Sequence, residues 1–233
     1  MRAFPFTTIG FDLDGTLLDT AADLGAAVNH ALALVDRAPV PAEAVAGLIG
    51  GGARLMLRRA LALTGGELDD AERDRLFGEL LRFYDANIAV HTRPYPGTVD
   101  ALRALAAANV RLGVATNKRE SFARKVLDAT GLLDRFACVL GGDTLGEDRK
   151  KPSPDLLIEL RERCGGGPAA FVGDSSFDVR AAKAAGMPCV VVSFGFNDGP
   201  AHQLGADAVI DSFAELVPAL QALRPATLGQ GRA

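Results

Sequence analysis

The sequence predicts an α/β fold: a parallel β-sheet core with helices on both faces and an inserted all-helical domain. Three observations carry that reading. From about residue 94 onward, short β-rich runs alternate with amphipathic ones, as a sheet with crossover helices requires. Between residues 20 and 90 the strand runs vanish and helical spacing takes over. Ahead of that insert stands one apolar run, Phe4 to Phe11, a first strand for the later ones to join.

The opening run passes straight into "DLDGTLLDT", with Asp12, Asp14 and Asp19. Aspartate is depleted from strands and an unpaired buried carboxylate is costly, so acids at the mouth of a buried strand need either a turn or a task. In the insert, Leu24, Ala27, Val28, Ala31, Leu32 and Val35 share one helical face, and Phe77, Leu80, Leu81, Tyr84 and Ile88 share another. The chain returns through "HTRPYPGT", where Pro94, Pro96 and Gly97 suit a hinge. Strands are then expected at "VRLGVAT", "FACVLGG", "AAFVGDS" and "PCVVVSF". Helices fall between them at "TVDALRALAAA", "SFARKVLDATG" and "SSFDVRAAKAAG", with stops at Gly131 and Gly186. The division is residues 1–16 and 92–233 for the core and 17–91 for the insert, and the tail "RPATLGQGRA" reads as disordered.

A chain of 233 residues, 48% hydrophobic, can fill a real core. Its 25 basic and 29 acidic residues give a formal charge of -4 with no polybasic run, which argues against nucleic acid or an anionic membrane as partner and for a small ligand. No stretch approaches the roughly 18 apolar residues of a membrane span, and no leader pattern opens the chain. Cys138, Cys164 and Cys189 are far apart, without metal-ligand spacing, and fit a reducing, cytoplasmic setting as filler. His30, His91 and His202 share no motif and are assigned no chemistry.

In a parallel sheet, residues ending different strands meet at one edge however distant in sequence. Here those ends carry Asp12 and Asp14, then Thr116 and Asn117, then Asp174, with Asp178 four residues on. Residues at i and i+2 face one side, so Asp12 and Asp14 should look into one crevice, while Gly15 permits a tight reversal. Several carboxylates in a partly dry site raise one another's pKa values or demand a cation. An all-oxygen set without His or Cys points to a hard ion, most simply Mg²⁺. A hard ion beside acids and hydroxyls is equipment for phosphoryl transfer, in which an aspartate can itself be the nucleophile.

Each motif alone also has a plain structural reading. "SSFD" fits a helix start through Ser175 and Asp178, Thr116 and Asn117 fit a cap or turn, and a lone DxD is often a turn. Their joint occurrence at three strand ends is what favours a site. A dinucleotide or P-loop reading fails, because the first strand ends in DxD and neither GxGxxG nor GxxxxGK[ST] occurs.

These residues resemble the haloacid dehalogenase superfamily of phosphohydrolases: "FDLDGT", "VATNK", "KKPSP" and "VGDSSFD" match its four motifs in order. The resemblance implies a Rossmann-like core under a helical cap. It also implies that Asp12 attacks phosphorus to form an aspartyl-phosphate, and that Asp14 protonates the leaving oxygen and then activates water. Thr116, with Asn117 beside it, would bind the phosphoryl group. Lys151 would neutralise charge, preferred over Lys150 because the superfamily's lysine directly precedes a proline. Mg²⁺ would be held by Asp12, the Asp14 carbonyl and Asp174, with Asp178 in support.

Longer segments, such as "HTRPYPGTVDALRALAAANVRLGVATNK", resemble the branch of the superfamily that hydrolyses 2-phosphoglycolate to glycolate and phosphate. "LIGGGARLMLRRAL" is similar to that branch's cap loop, though the aromatic and the asparagine expected near Leu48 and Gly51 are absent. There Gly51 and Gly52 would offer backbone N–H groups and Arg54 a charge to the substrate carboxylate, unless the run is a plain helix-to-helix connection. The alternatives are a sugar-phosphate phosphatase or phosphomutase with the same motifs, or, from another class, a phospho-acceptor signalling domain. A Schiff-base mechanism would need a cap lysine, and all five lysines (118, 125, 150, 151, 183) follow the insert. A monomer or homodimer acting on a small phosphate monoester is expected.

Overall fold

Strand β1 (Thr8–Phe11) is buried at every position, because its neighbours pair with it on both edges and helices cover both faces. The computed structural model describes residues 4–225; positions 226–233 of the tail read as disordered lie outside the described residues. The chain continues through β2 (Leu18–Asp19) into the insert: α1 (Ala21–Ala33), α2 (Ala42–Val45), α3 (Ala53–Leu63) and α4 (Asp70–Ala86). It returns by β3 (Arg93–Pro94), then runs α5 (Thr98–Ala107), β4 (Arg111–Ala115), α6 (Glu120–Ala129), β5 (Cys138–Leu140), α7 (Asp155–Arg163) and β6 (Ala169–Gly173). It ends with α8 (Ser176–Ala184), β7 (Cys189–Val192), β8 (Ala208–Ile210) and α9 (Leu216–Ala222).

Among the described residues the main sheet has six strands, ordered β5-β4-β1-β6-β7-β8, and every pairing is parallel. The chain builds outward from β1 first through β4 and β5, then through β6, β7 and β8. The order therefore reverses beside β1, and the carboxyl ends of β1, β4 and β6 border one crevice. β8 was not foreseen from the sequence, since three residues at a sheet edge, only Ile210 of them buried, carry too little pattern.

Helix ends follow local chemistry. At Gly131, with φ of 69°, Leu132 N–H reaches back to Leu127 O at 2.8 Å and Gly131 N–H to Asp128 O at 2.9 Å, the paired bonds of a glycine-terminated helix. The start of α4 is capped by Asp69, whose carboxylate accepts from Glu72 N–H at 2.9 Å.

The insert packs α1 on α4, burying Leu24, Ala27, Val28, Ala31 and Leu32 against Leu76, Phe77, Leu80 and Tyr84. His30 stacks on Phe83 with ring centroids 4.5 Å apart. Where a plain hinge was expected, β2 and β3 form an antiparallel ribbon, Leu18 opposite Pro94 and Asp19 opposite Arg93. Just beyond it the buried Asp23 carboxylate accepts from Thr92 Oγ1 at 2.7 Å, Thr92 N–H at 2.8 Å and His91 N–H at 3.0 Å, tying the first turn of α1 to the returning chain. Cys138 and Cys164, distant in sequence, meet with sulfurs 3.7 Å apart as free thiols. Among the described residues no helix is long and apolar enough to cross a membrane.

Candidate active site

Asp12 directly follows β1, held by its N–H to Val172 O at 2.9 Å, and Asp174 directly follows β6. Asp178 sits in the first turn of α8, where its Oδ2 accepts from Ser175 Oγ at 2.6 Å and Ser175 N–H at 3.0 Å. It is thus part of a helix start and also of the acid cluster: Asp12, Asp174 and Asp178 are all buried and present carboxylate oxygens within 4.8 Å of one another. The helix-start and site readings of "SSFD" are both true of one side chain.

Lys151 stands among these acids, 1% exposed, with Nζ 2.6 Å from Asp178 Oδ1 and 2.9 Å from Asp12 Oδ1. The second contact lacks hydrogen-bond alignment, and Asp12 Oδ1 has no hydrogen-bond donor among the described residues. Lys150 points elsewhere, to Glu147 at 3.0 Å on the crevice rim. Three buried acids against one buried ammonium leave negative charge in excess. Burial, with Asp178 and Asp14 adding to it, pushes the Asp12 carboxyl up to about 6 even though Lys151 opposes. Asp174 is raised well above the carboxylate range by burial, then by Asp178 and Asp12. For Lys151 burial works downward but is outweighed by Asp12 and Asp178, so its ammonium is held above the usual lysine range.

The loop after β1 needs its glycine. Gly15 has φ of 81°, and a Cβ there would stand 2.2 Å from Asp174 Oδ2. Thr16 Oγ1 donates to Asp174 Oδ1 at 3.4 Å and Phe196 N–H to Asp174 Oδ2 at 2.7 Å, so the third acid is fixed from two sides.

Asp12, Asp14, Thr116 and Asn117 line one crevice between sheet and insert, together with Gly50, Gly52 and Arg54. Asp14 is not part of the three-acid cluster through its side chain: both its oxygens lie 2.8 Å from Lys118 Nζ, and Oδ1 also accepts from Thr20 Oγ1 at 2.8 Å. Asn117 differs from expectation. Its amide N–H groups donate to Gly50 O at 3.1 Å and Lys151 O at 3.0 Å, so the side chain joins the insert to the lysine loop instead of facing an anion. Arg54 differs too, since its guanidinium pairs with Asp74 at 2.7 Å and lies over the Phe77 ring at 4.1 Å. Gly51 lines a neighbouring groove with Arg58, Lys150 and Phe177.

Sequence reasoning missed Lys118 and Tyr84. Lys118 is nearly buried, and its Nζ stands 4.8 Å above the Tyr84 ring. Tyr84, counted as a core residue of the insert, has a buried hydroxyl with no partner among the described residues. The signal for Lys118 was present, as it follows Thr116 and Asn117 directly in "VATNK".

Fold and site together define an α/β enzyme that gathers acids and an ammonium at the switch point of a parallel sheet. The model of the haloacid dehalogenase-like hydrolases matches residues 6–186. The chain is 42% identical over 212 residues to a phosphoglycolate phosphatase of Agrobacterium fabrum, covering 90% of each chain. It is 44% identical over 212 residues to one of Rhodospirillum rubrum, covering 88% of this chain and 87% of that one. The crystal structure of a predicted phosphoglycolate phosphatase from Haemophilus somnus superposes with a TM-score of 0.86 at 33% identity, over 93% of this chain and 99% of the other. The chain belongs to the haloacid dehalogenase-like hydrolase family.

Proposed function

We propose that the protein is a Mg²⁺-dependent phosphatase that hydrolyses 2-phosphoglycolate to glycolate and phosphate. The observation that carries the chemistry is the buried triad of Asp12, Asp174 and Asp178 with Lys151 inside it; the relatives' names supply the substrate.

The residues fit a hard divalent ion. The donors are all carboxylate oxygens, and their charge exceeds what Lys151 balances. Asp12, Asp174 and the Asp14 carbonyl would hold Mg²⁺, with Asp178 in support. The ion supplies charge neutralisation for the phosphoryl oxygens.

In the proposed reaction an Asp12 carboxylate oxygen attacks phosphorus, the bond from phosphorus to the ester oxygen breaks, and Asp14 gives that oxygen a proton. Asp14 then takes a proton from water, which cleaves the aspartyl-phosphate and releases phosphate. Lys151 screens Asp12 from the incoming dianion, and the buried Thr116 hydroxyl binds a phosphoryl oxygen. Helices α1 to α4 act as the cap over the crevice and shield the reacting groups from bulk solvent, leaving Asp14 to direct the water that is used. The free thiols support work in a reducing cytoplasm.

The test is phosphate release with Mg²⁺ from 2-phosphoglycolate, sugar phosphates and nucleoside monophosphates. The expected result is the highest kcat/KM for 2-phosphoglycolate. Equal kcat/KM across the panel overturns the substrate while leaving the phosphatase chemistry standing.

A further inference from the structure

The Lys118–Asp14 pair poses a problem for the reaction just proposed. Asp14 is to serve the leaving oxygen, yet its carboxylate is held on both oxygens by Lys118 and on one by Thr20 as well. Lys118 cannot simply be left behind, because a nearly buried ammonium without a counter-ion is costly. For Asp14 to turn to the substrate, another anion must take its place.

Tyr84 adds an independent observation. Its ring carries Lys118 on one face, and its hydroxyl, buried on α4 at the crevice wall, has no hydrogen-bond partner among the described residues. An orphaned buried hydroxyl beside a buried ammonium is a ready seat for one small anionic group. Leu24, Ile49, Met56 and Leu80 line the same crevice.

We propose that Lys118 and Tyr84 form the seat for the carboxylate of the leaving group, and that filling it draws Lys118 away from Asp14. The inference rests on the 2-phosphoglycolate reading. In that ester one methylene separates the carboxylate from the ester oxygen, so a substrate placing its ester oxygen at Asp14 brings its carboxylate beside Lys118. The exchange keeps Lys118 paired: the ammonium trades one carboxylate for another, and Asp14, released from it, takes a proton from solvent that it can then give to the leaving oxygen. A phosphate ester without the carboxylate leaves Asp14 clamped. Selectivity then arises from freeing Asp14 as well as from affinity. Arg54, the cation expected for this task from the sequence, lines the same crevice and is paired with Asp74 over the Phe77 ring in this structure.

The test compares 2-phosphoglycolate with 2-hydroxyethyl phosphate, which carries a neutral hydroxymethyl in place of the carboxylate. The readout is the ratio of the two kcat/KM values, which does not depend on the fraction of a preparation that is folded. The wild-type ratio is expected to favour 2-phosphoglycolate. Lys118→Met should lower the ratio on the order of 10²-fold, Tyr84→Phe about tenfold, and Lys118→Arg, which keeps the charge, much less than Lys118→Met. If the wild type prefers 2-phosphoglycolate and Lys118→Met prefers it equally, the seat lies elsewhere and this inference alone falls. If the wild type shows no preference, the substrate reading falls and takes the inference with it.

Discussion

The sheet edge carries its charges inside, and the helical insert, apart from Asp23 at its root, carries them outside. Asp12, Lys151, Asp174 and Asp178 are all under a tenth exposed, whereas Arg58 and Glu67 of the insert pair with more than half of each side chain in water. The helix α4 surface repeats the insert's pattern, with Arg75 on Glu72 and Arg82 on Glu79 one turn apart. Charges in water contribute little to stability because solvent screens them, and their loss is tolerated. Buried charges without full compensation are costly to hold and persist where a ligand or a reaction uses them. The contrast locates chemistry in the core before any comparison with relatives is made.

The largest expected effect comes from removing the attacking group. Asp12→Asn should lower kcat for 2-phosphoglycolate on the order of 10⁴-fold or more, with no acid-stable phosphate adduct on the chain when substrate is quenched and analysed by mass. Next comes the neighbouring pair that separates buried from exposed. Lys151→Ala should cost on the order of 10² to 10³ in kcat/KM, and Lys150→Ala less than about tenfold; the reverse order would break the comparison.

A smaller effect concerns pH. Asp12 titrates near its ordinary 3.8 when unfolded and near about 6 when folded, so between those values the folded state binds more protons than the unfolded one. Its contribution to stability is complete below 3.8 and is lost as pH rises through about 6. In chelator, Tm should therefore fall by a few degrees from pH 5 to pH 8; this slope should be reduced in Asp12→Asn, where the raised Asp174 carboxyl still contributes, and offset by added Mg²⁺. The smallest effect is outside. Arg82→Ala, which removes an exposed pair on α4, should move Tm by no more than about 1 °C.

The strand ends were legible because a parallel sheet forces Asp12, Thr116 and Asp174 to one edge whatever lies between them in sequence. The hydrophobic stripes of α1 and α4 were legible from spacing alone. The role of Lys118 was not, since its partner Asp14 lies 104 residues earlier and no local pattern links them. Tyr84 was hidden by its stripe: an aromatic at core spacing reads as core, and only the unpartnered hydroxyl distinguishes it. Asn117, offered to the substrate by motif position, and Arg54, offered for its charge, both line the crevice, and each also has a partner inside the protein that sequence could not foresee. Strands β2, β3 and β8 escaped because two or three residues do not make a period.

The ribbon of β2 and β3 has a consequence of its own. Departing and returning chains lie side by side, Leu18 against Pro94, and Asp23 fastens the knot from within. An insertion sewn on by adjacent stitches can be exchanged whole. A foreign helical hairpin spliced at those two rungs would leave the six parallel strands in register, so the share of leaving-group preference that the insert supplies through Tyr84 would travel with the graft, while Lys118 and the phosphoryl chemistry stayed with the host.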